Sequence, residues 1–104
     1  MTPEKFEPLD AVIHSPVRLA VLSVLASVRR ADFAYLKEAT ETTDGNLSTH
    51  LAKLADAGYI TVRKSFRGRK PLTSCALTDK GRASFTKYLK ALESYFPAPE
   101  SKKE

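Results

Sequence analysis

Apolar residues recur along this chain at helical spacing, switch once to alternation, and then return to helical spacing; the switches mark its elements. Leu9, Val12 and Ile13 share one side of a short helix predicted at residues 9–14, with Pro8 at its mouth. Ser15-Pro16 restarts the chain, because Ser caps a helix and Pro fits its first turn. The helix predicted at 16–28 is apolar at 17, 21, 24 and 28 and again at Leu19, Leu22 and Leu25. Apolar almost all round, it is expected to be the central buried helix. Asp32 is positioned to cap a third helix at 33–40, with Phe33 and Leu36 pointing inward.

A fourth helix is predicted at 45–57, with Asp44 as its candidate cap. At 100° per residue, Leu47, Leu51 and Leu54 fall in one narrow arc, while Asn46, Thr49, Lys53 and Asp56 fall opposite. This helix therefore has a dry side and a wet side. Gly58 ends it, and residues 59–66 then alternate and are rich in strand formers. Residues 67–71 read as a turn and 72–77 as the returning strand. Thr78 or Asp79 caps a last helix, on which Phe85, Leu89, Leu92 and Phe96 form one stripe widened by Tyr88 and Tyr95, and Pro97 stops it. The expected fold is mainly α with a two-stranded β wing, an α+β helix-turn-helix arrangement. Residues 1–8 are expected to be an N-terminal extension, 9–96 the single domain, and 97–104 a frayed polar tail.

Charge sharpens the picture. With 17 Lys and Arg against 12 Asp and Glu, the formal net charge of +5 favours polyanionic partners. Hydrophobic residues make up 42% of 104 residues, which suits one folded domain with a modest core. The single cysteine, Cys75, excludes an internal disulfide and the paired thiolates of a structural zinc site, and it reads as a small core residue. The longest apolar stretch, 17–28, is interrupted by Arg18, Ser23 and Ser27, so no membrane span is expected, and residues 1–8 lack the apolar run of a signal peptide. A cytoplasmic setting follows as the expectation. No activated nucleophile, phosphate loop or metal-ligand cluster is apparent, so neither catalysis nor a cofactor is expected.

The segment Leu47-Ser48-Thr49-His50-Leu51-Ala52-Lys53-Leu54-Ala55-Asp56-Ala57-Gly58-Tyr59-Ile60 resembles the recognition-helix signature of the ArsR and MarR types of winged-helix transcription regulator. Leu77-Thr78-Asp79-Lys80-Gly81-Arg82 is similar to the segment by which MarR-like domains enter their final helix. The resemblance covers nearly all of residues 9–96 and implies a small stand-alone regulator. The paired cysteines of metal-sensing ArsR proteins are absent, as is a histidine cluster, so metal sensing is not implied. The long terminal helices of MarR proteins are absent too, and with them the grounds for assuming a phenolic ligand pocket.

On the wet face, Asn46, Thr49 and Lys53 are candidates to reach base edges, with Ser48 and His50 at the flanks, where phosphate contacts are natural. Arg67, Arg69 and Lys70 at the hairpin tip are candidates for a narrow minor groove or the backbone. Of Arg63 and Lys64, which alternate, at most one is expected to face DNA. Leu9, Val12, Ile13, Tyr88, Leu92, Tyr95 and Phe96 exceed what a small core covers and are expected to form a homodimer interface. The partners expected are thus double-stranded DNA and a second copy, with sequence-specific regulation as the function. A winged-helix module that binds protein and a non-specific architectural nucleic-acid binder remain open on the residues alone.

Overall fold

The computed structural model describes residues 5–97. Four helices, α1 (Pro16–Ser27), α2 (Phe33–Thr40), α3 (Asp44–Asp56) and α4 (Asp79–Glu93), combine with strands β1 (Ala31–Asp32), β2 (Ile60–Arg67) and β3 (Lys70–Leu77). The sheet is three-stranded and antiparallel in the order β1-β3-β2, so the expected two-stranded wing gains a third strand at its root. Ala31 pairs with Cys75 and Asp32 with Ser74. Two residues are too short for any alternation to show, which is why the pattern did not reveal β1.

Capping follows the sequence at most helix starts. Ser15 accepts from the Arg18 N–H with Pro16 at the first helical position, Asp32 accepts from Tyr35, and Thr78 accepts from Gly81. For α3 the cap is Thr43, which accepts from the Asn46 N–H, and Asp44 is the first helical residue instead. There its carboxylate lies where the helix dipole favours negative charge, and it meets Lys37 of α2 at 2.8 Å.

Residues 9–14 form a turn rather than the expected helix. Ile13 and His14 donate backbone bonds to the Asp10 carbonyl, and the Asp10 side chain accepts from Val12 N–H at 2.9 Å. Propagation is blocked because Ser15 precedes a proline and is extended at φ −155°, ψ 133°.

One core joins the pieces: Val21, Leu22 and Leu25 of α1, Leu36 of α2, the three leucines of α3, Ile60 and Cys75 of the sheet, and Phe85 and Tyr88 of α4. Burial pushes the Cys75 thiol up to about 11, so it stays protonated and acts as a packing residue. On α4 the inward face is Gly81, Phe85, Tyr88 and Ala91, whereas Leu89 of the expected stripe is exposed. The helix ends at Glu93, short of Pro97.

Two of the expected dimer residues are consumed by this core. Ile13 is fully buried, and Tyr88 is buried with its hydroxyl 2.8 Å from His14 Nδ1, so neither offers surface to a partner. Leu9, Val12 and Leu92 are half-buried against the core, while Tyr95 and Phe96 remain exposed. Phe6 stacks on Tyr95 with ring centroids 4.9 Å apart, so part of the expected N-terminal extension packs along the end of α4.

Candidate nucleic-acid interface

Three leucines set the rotation of α3. Leu47 and Leu54 are fully buried and Leu51 nearly so, each contributing about 2 kcal/mol of transfer free energy. Turning the helix about its axis would expose them. The opposite side is therefore held outward, and Asn46, Ser48, Thr49 and Lys53 are all exposed there. The Thr49 hydroxyl donates to the Gly45 carbonyl at 3.1 Å, leaving its oxygen to accept and its methyl to pack, the combination that suits a base amino group beside a thymine methyl.

His50 departs from the rest of this face. It is half-buried, and its Nδ1 lies 2.8 Å from Arg18 Nη1 of α1. A guanidinium only donates, so Nδ1 accepts, the ring is neutral and its proton sits on Nε2. Burial holds the His50 pKa below its ordinary value, and the charges of Arg18 and Lys53 lower it further. Arg18 also donates through Nε to the Val12 carbonyl and through Nη2 to the Ala11 carbonyl at 3.5 Å. It thus ties α3 to the turn before α1. Sequence reasoning missed Arg18, which reads as an interruption in an apolar run, because its partner lies 32 residues away.

The C-terminal end of α3 aims the chain into the wing. Gly58 N–H bonds the Ala55 carbonyl and Tyr59 N–H the Leu54 carbonyl, both at 2.9 Å, the double closure of a Schellman motif. Tyr59 then donates its hydroxyl to the Asp10 carboxylate, which raises the phenol pKa. Thr78 grips the same corner: its N–H bonds the Tyr59 carbonyl at 3.0 Å and its hydroxyl bonds Gly58 O at 2.7 Å.

The wing closes through a two-residue turn, Gly68-Arg69, tighter than the expected 67–71. Arg67, Arg69 and Lys70 are exposed. The register puts Arg67 directly across from Lys70, and Arg63, across from Ser74, on the same face. Like charges placed opposite one another cost stability. The fold offsets this only in part, by a 3.8 Å approach of Arg67 to Asp32. Arg63 and Lys64 are both exposed but lie on opposite faces. Arg30, whose Nη1 is 3.2 Å from Ser74 Oγ, adds a cation near Arg63 that charge counting did not single out.

Among the described residues no cluster of three or more His, Cys, Asp or Glu is placed to hold a metal ion, and no helix is long and apolar enough to cross a membrane.

Comparison with known proteins agrees with this arrangement. The model of the winged helix DNA-binding domain family matches residues 17–96. An uncharacterised protein of Methanocaldococcus jannaschii is 37% identical over 78 residues, which cover 75% of this chain and 85% of that one. A transcriptional regulator homologue from Pyrococcus horikoshii superposes with a TM-score of 0.74 at 29% identity, over 80% of this chain and 82% of its own. A MarR-family regulator of Silicibacter pomeroyi shares the fold with a TM-score of 0.64 at 19% identity, over 81% of this chain and 56% of its own. PadR of Bacillus subtilis, solved in complex with operator DNA, shares it with a TM-score of 0.61 at 23% identity, over 82% of this chain and 52% of its own.

Proposed function

The chain belongs to the winged helix DNA-binding domain family, and from that premise we propose that it is a sequence-specific transcription regulator that binds double-stranded DNA as a homodimer. Its role is binding, not catalysis. In this reading α3 enters the major groove, the wing lies on the minor groove or the backbone, phosphate contacts set affinity, and Asn46, Thr49 and Lys53 set sequence choice. Ser48, Arg67, Arg69 and Lys70 serve the backbone. His50 contributes through Nε2–H while its other nitrogen stays engaged with Arg18. The observation that carries the proposal is the polar face of α3, fixed outward by three buried leucines and leading directly into a cationic hairpin. A cytoplasmic location belongs to the same proposal.

Selection from random oligonucleotides at stated salt tests it. A recovered pseudo-palindrome is the expected result. Equal binding to scrambled duplexes would instead make the protein an architectural binder, and no salt-dependent affinity at all would point to a protein-binding module. In the same assay Arg69→Ala is expected to weaken binding across all sequences and to reduce the slope of log affinity against log salt by about one. An unchanged slope would remove the wing from the interface.

A further inference from the structure

Phe66 is 72% exposed, the largest value for any large hydrophobic residue among those described, and it sits one residue from the tip of a hairpin crowded with cations. Neither the core nor a helix covers it. In the register Phe66 stands opposite Pro71, and Val62, at 40% exposure, lies on the same face four pairs nearer the root. Arg67 and Lys70 close the two-residue turn as the hydrogen-bonded pair, so Phe66–Pro71 is the next, non-hydrogen-bonded pair, where cross-strand side chains approach most closely. The proline ring therefore backs the aromatic ring. Pro71 forfeits no ladder bond, because its missing N–H would point toward the β1 side, and β1 reaches only as far as Ser74. Gly68 at φ +64° lets the turn take its tight form, so the tip is short and stiff.

Solubility alone asks for the opposite arrangement, since an exposed strand end is made safe by charge and not by an aromatic. An apolar point with Lys64 beside it on its own face, Arg67 and Lys70 on the reverse face and Arg69 in the turn matches one kind of surface: stacked bases lying between two rows of phosphate. We propose that Phe66 is a wedge that enters the minor groove under the wing and partly unstacks one base step, while the neighbouring cations hold the flanking phosphates. This rests on the reading of the chain as a DNA-binding regulator. It adds a source of specificity that α3 does not provide, because pyrimidine–purine steps unstack most readily. The DNA site then carries a flexible step under each wing, selected by deformability and not by base-edge contacts.

The test uses the full chain and a duplex recovered by random-oligonucleotide selection, with 2-aminopurine substituted in turn at each position beneath the wing. The wild type is expected to raise the fluorescence severalfold at one step. Phe66→Ser should abolish that rise, weaken binding roughly tenfold, leave the salt slope unchanged, and erase the preference for a pyrimidine–purine step when the selection is repeated. Phe66→Leu, still apolar, should keep part of the rise. Both substitutions are at an exposed position, and circular dichroism checks that the fold persists. The proposal falls if the wild type binds with its salt dependence and no probe brightens, or if Phe66→Ser brightens the probe as the wild type does. It also falls if Phe66→Ser changes the oligomeric state, which would assign Phe66 to a protein contact. Absence of any salt-dependent duplex binding by the wild type overturns the regulator reading and the wedge together.

Discussion

A single proton position links α3 to pH. His50 is neutral because Nδ1 accepts from Arg18, and burial, Arg18 and Lys53 all depress its pKa in the folded chain. The unfolded chain titrates near the ordinary value of about 6.5. Above that value both states carry a neutral ring, and His50 confers no pH dependence. As pH falls through 6.5 the unfolded chain takes up a proton that the folded chain refuses, so stability declines until the folded pKa is passed and both states are charged. Denaturant titrations are expected to show this loss on the acid side of neutrality, and His50→Gln should remove it. NMR titration of the ring provides the direct check: its midpoint should lie below 6.5 and move up in Arg18→Met. The midpoint should not recover fully, because burial, the largest cause, remains. A midpoint indifferent to Arg18 would mean that the contact does not persist in solution.

At the level of elements, the corner between α3, β2 and α4 decides whether α3 and the wing are held in one relation. Gly81 is the critical point, because a Cβ built there would overlap the Tyr59 carbonyl oxygen and lie 2.8 Å from its carbon. The overlapping group is backbone and cannot swing aside, and Leu77 Cδ1 adds a tight side-chain contact at 3.0 Å. Gly81→Ala is expected to cost about 3 kcal/mol by overpacking, against about 1 kcal/mol for removing the Thr78 cap, and urea denaturation would rank the two. The motif running through Thr78 and Gly81 was legible in the sequence, as were the leucine face of α3, the caps at Ser15 and Asp32, and the stop at Gly58, because each is a local signal within a few residues. What stayed hidden was non-local. The short β1 is defined only by its partner β3, the Asp10 turn by the proline that follows it, and the Arg18–His50 and His14–Tyr88 contacts by folding itself. Thr43 and Asp44 are equally good caps by type, and only the geometry of α3 separates them. The stripe on α4 was misread for a related reason: Leu89 and Tyr88 are adjacent, and which of them turns inward depends on where α1 and the residue 9–14 turn lie.

For the whole molecule, the unanswered surface lies along α4 and the N-terminal segment beside it. A half-open groove of about 1220 Å³ runs between the N-terminal segment and α4, and beyond its walls Leu89, Tyr95 and Phe96 are exposed, as is Phe6, which stacks on Tyr95. Its walls carry Glu7, Asp10 and Glu93 together with Lys87 and Lys90, so a copy related by a two-fold axis can set acids against bases in both directions at once. This self-complementarity is the reason to seat a second copy of the chain on it, in place of the broader set of dimer residues expected from sequence. A stable dimer needs about 800 Å² buried per partner, more than two or three side chains provide, so α4 and the N-terminal segment must both take part. Light scattering at micromolar concentration is expected to report a dimer, and Lys87→Glu combined with Lys90→Glu, which removes the basic wall of the groove, to report a folded monomer. For DNA binding the effect reaches beyond the interface itself. In the proposed dimer two copies of α3 on one axis would meet half-sites about 34 Å apart, and uncoupling them would forfeit the effective concentration of the second, so affinity for the selected palindrome should drop by about a hundredfold or more while half-site affinity holds. A wild-type monomer that nevertheless bound a palindrome tightly would require DNA itself to bring the two copies together.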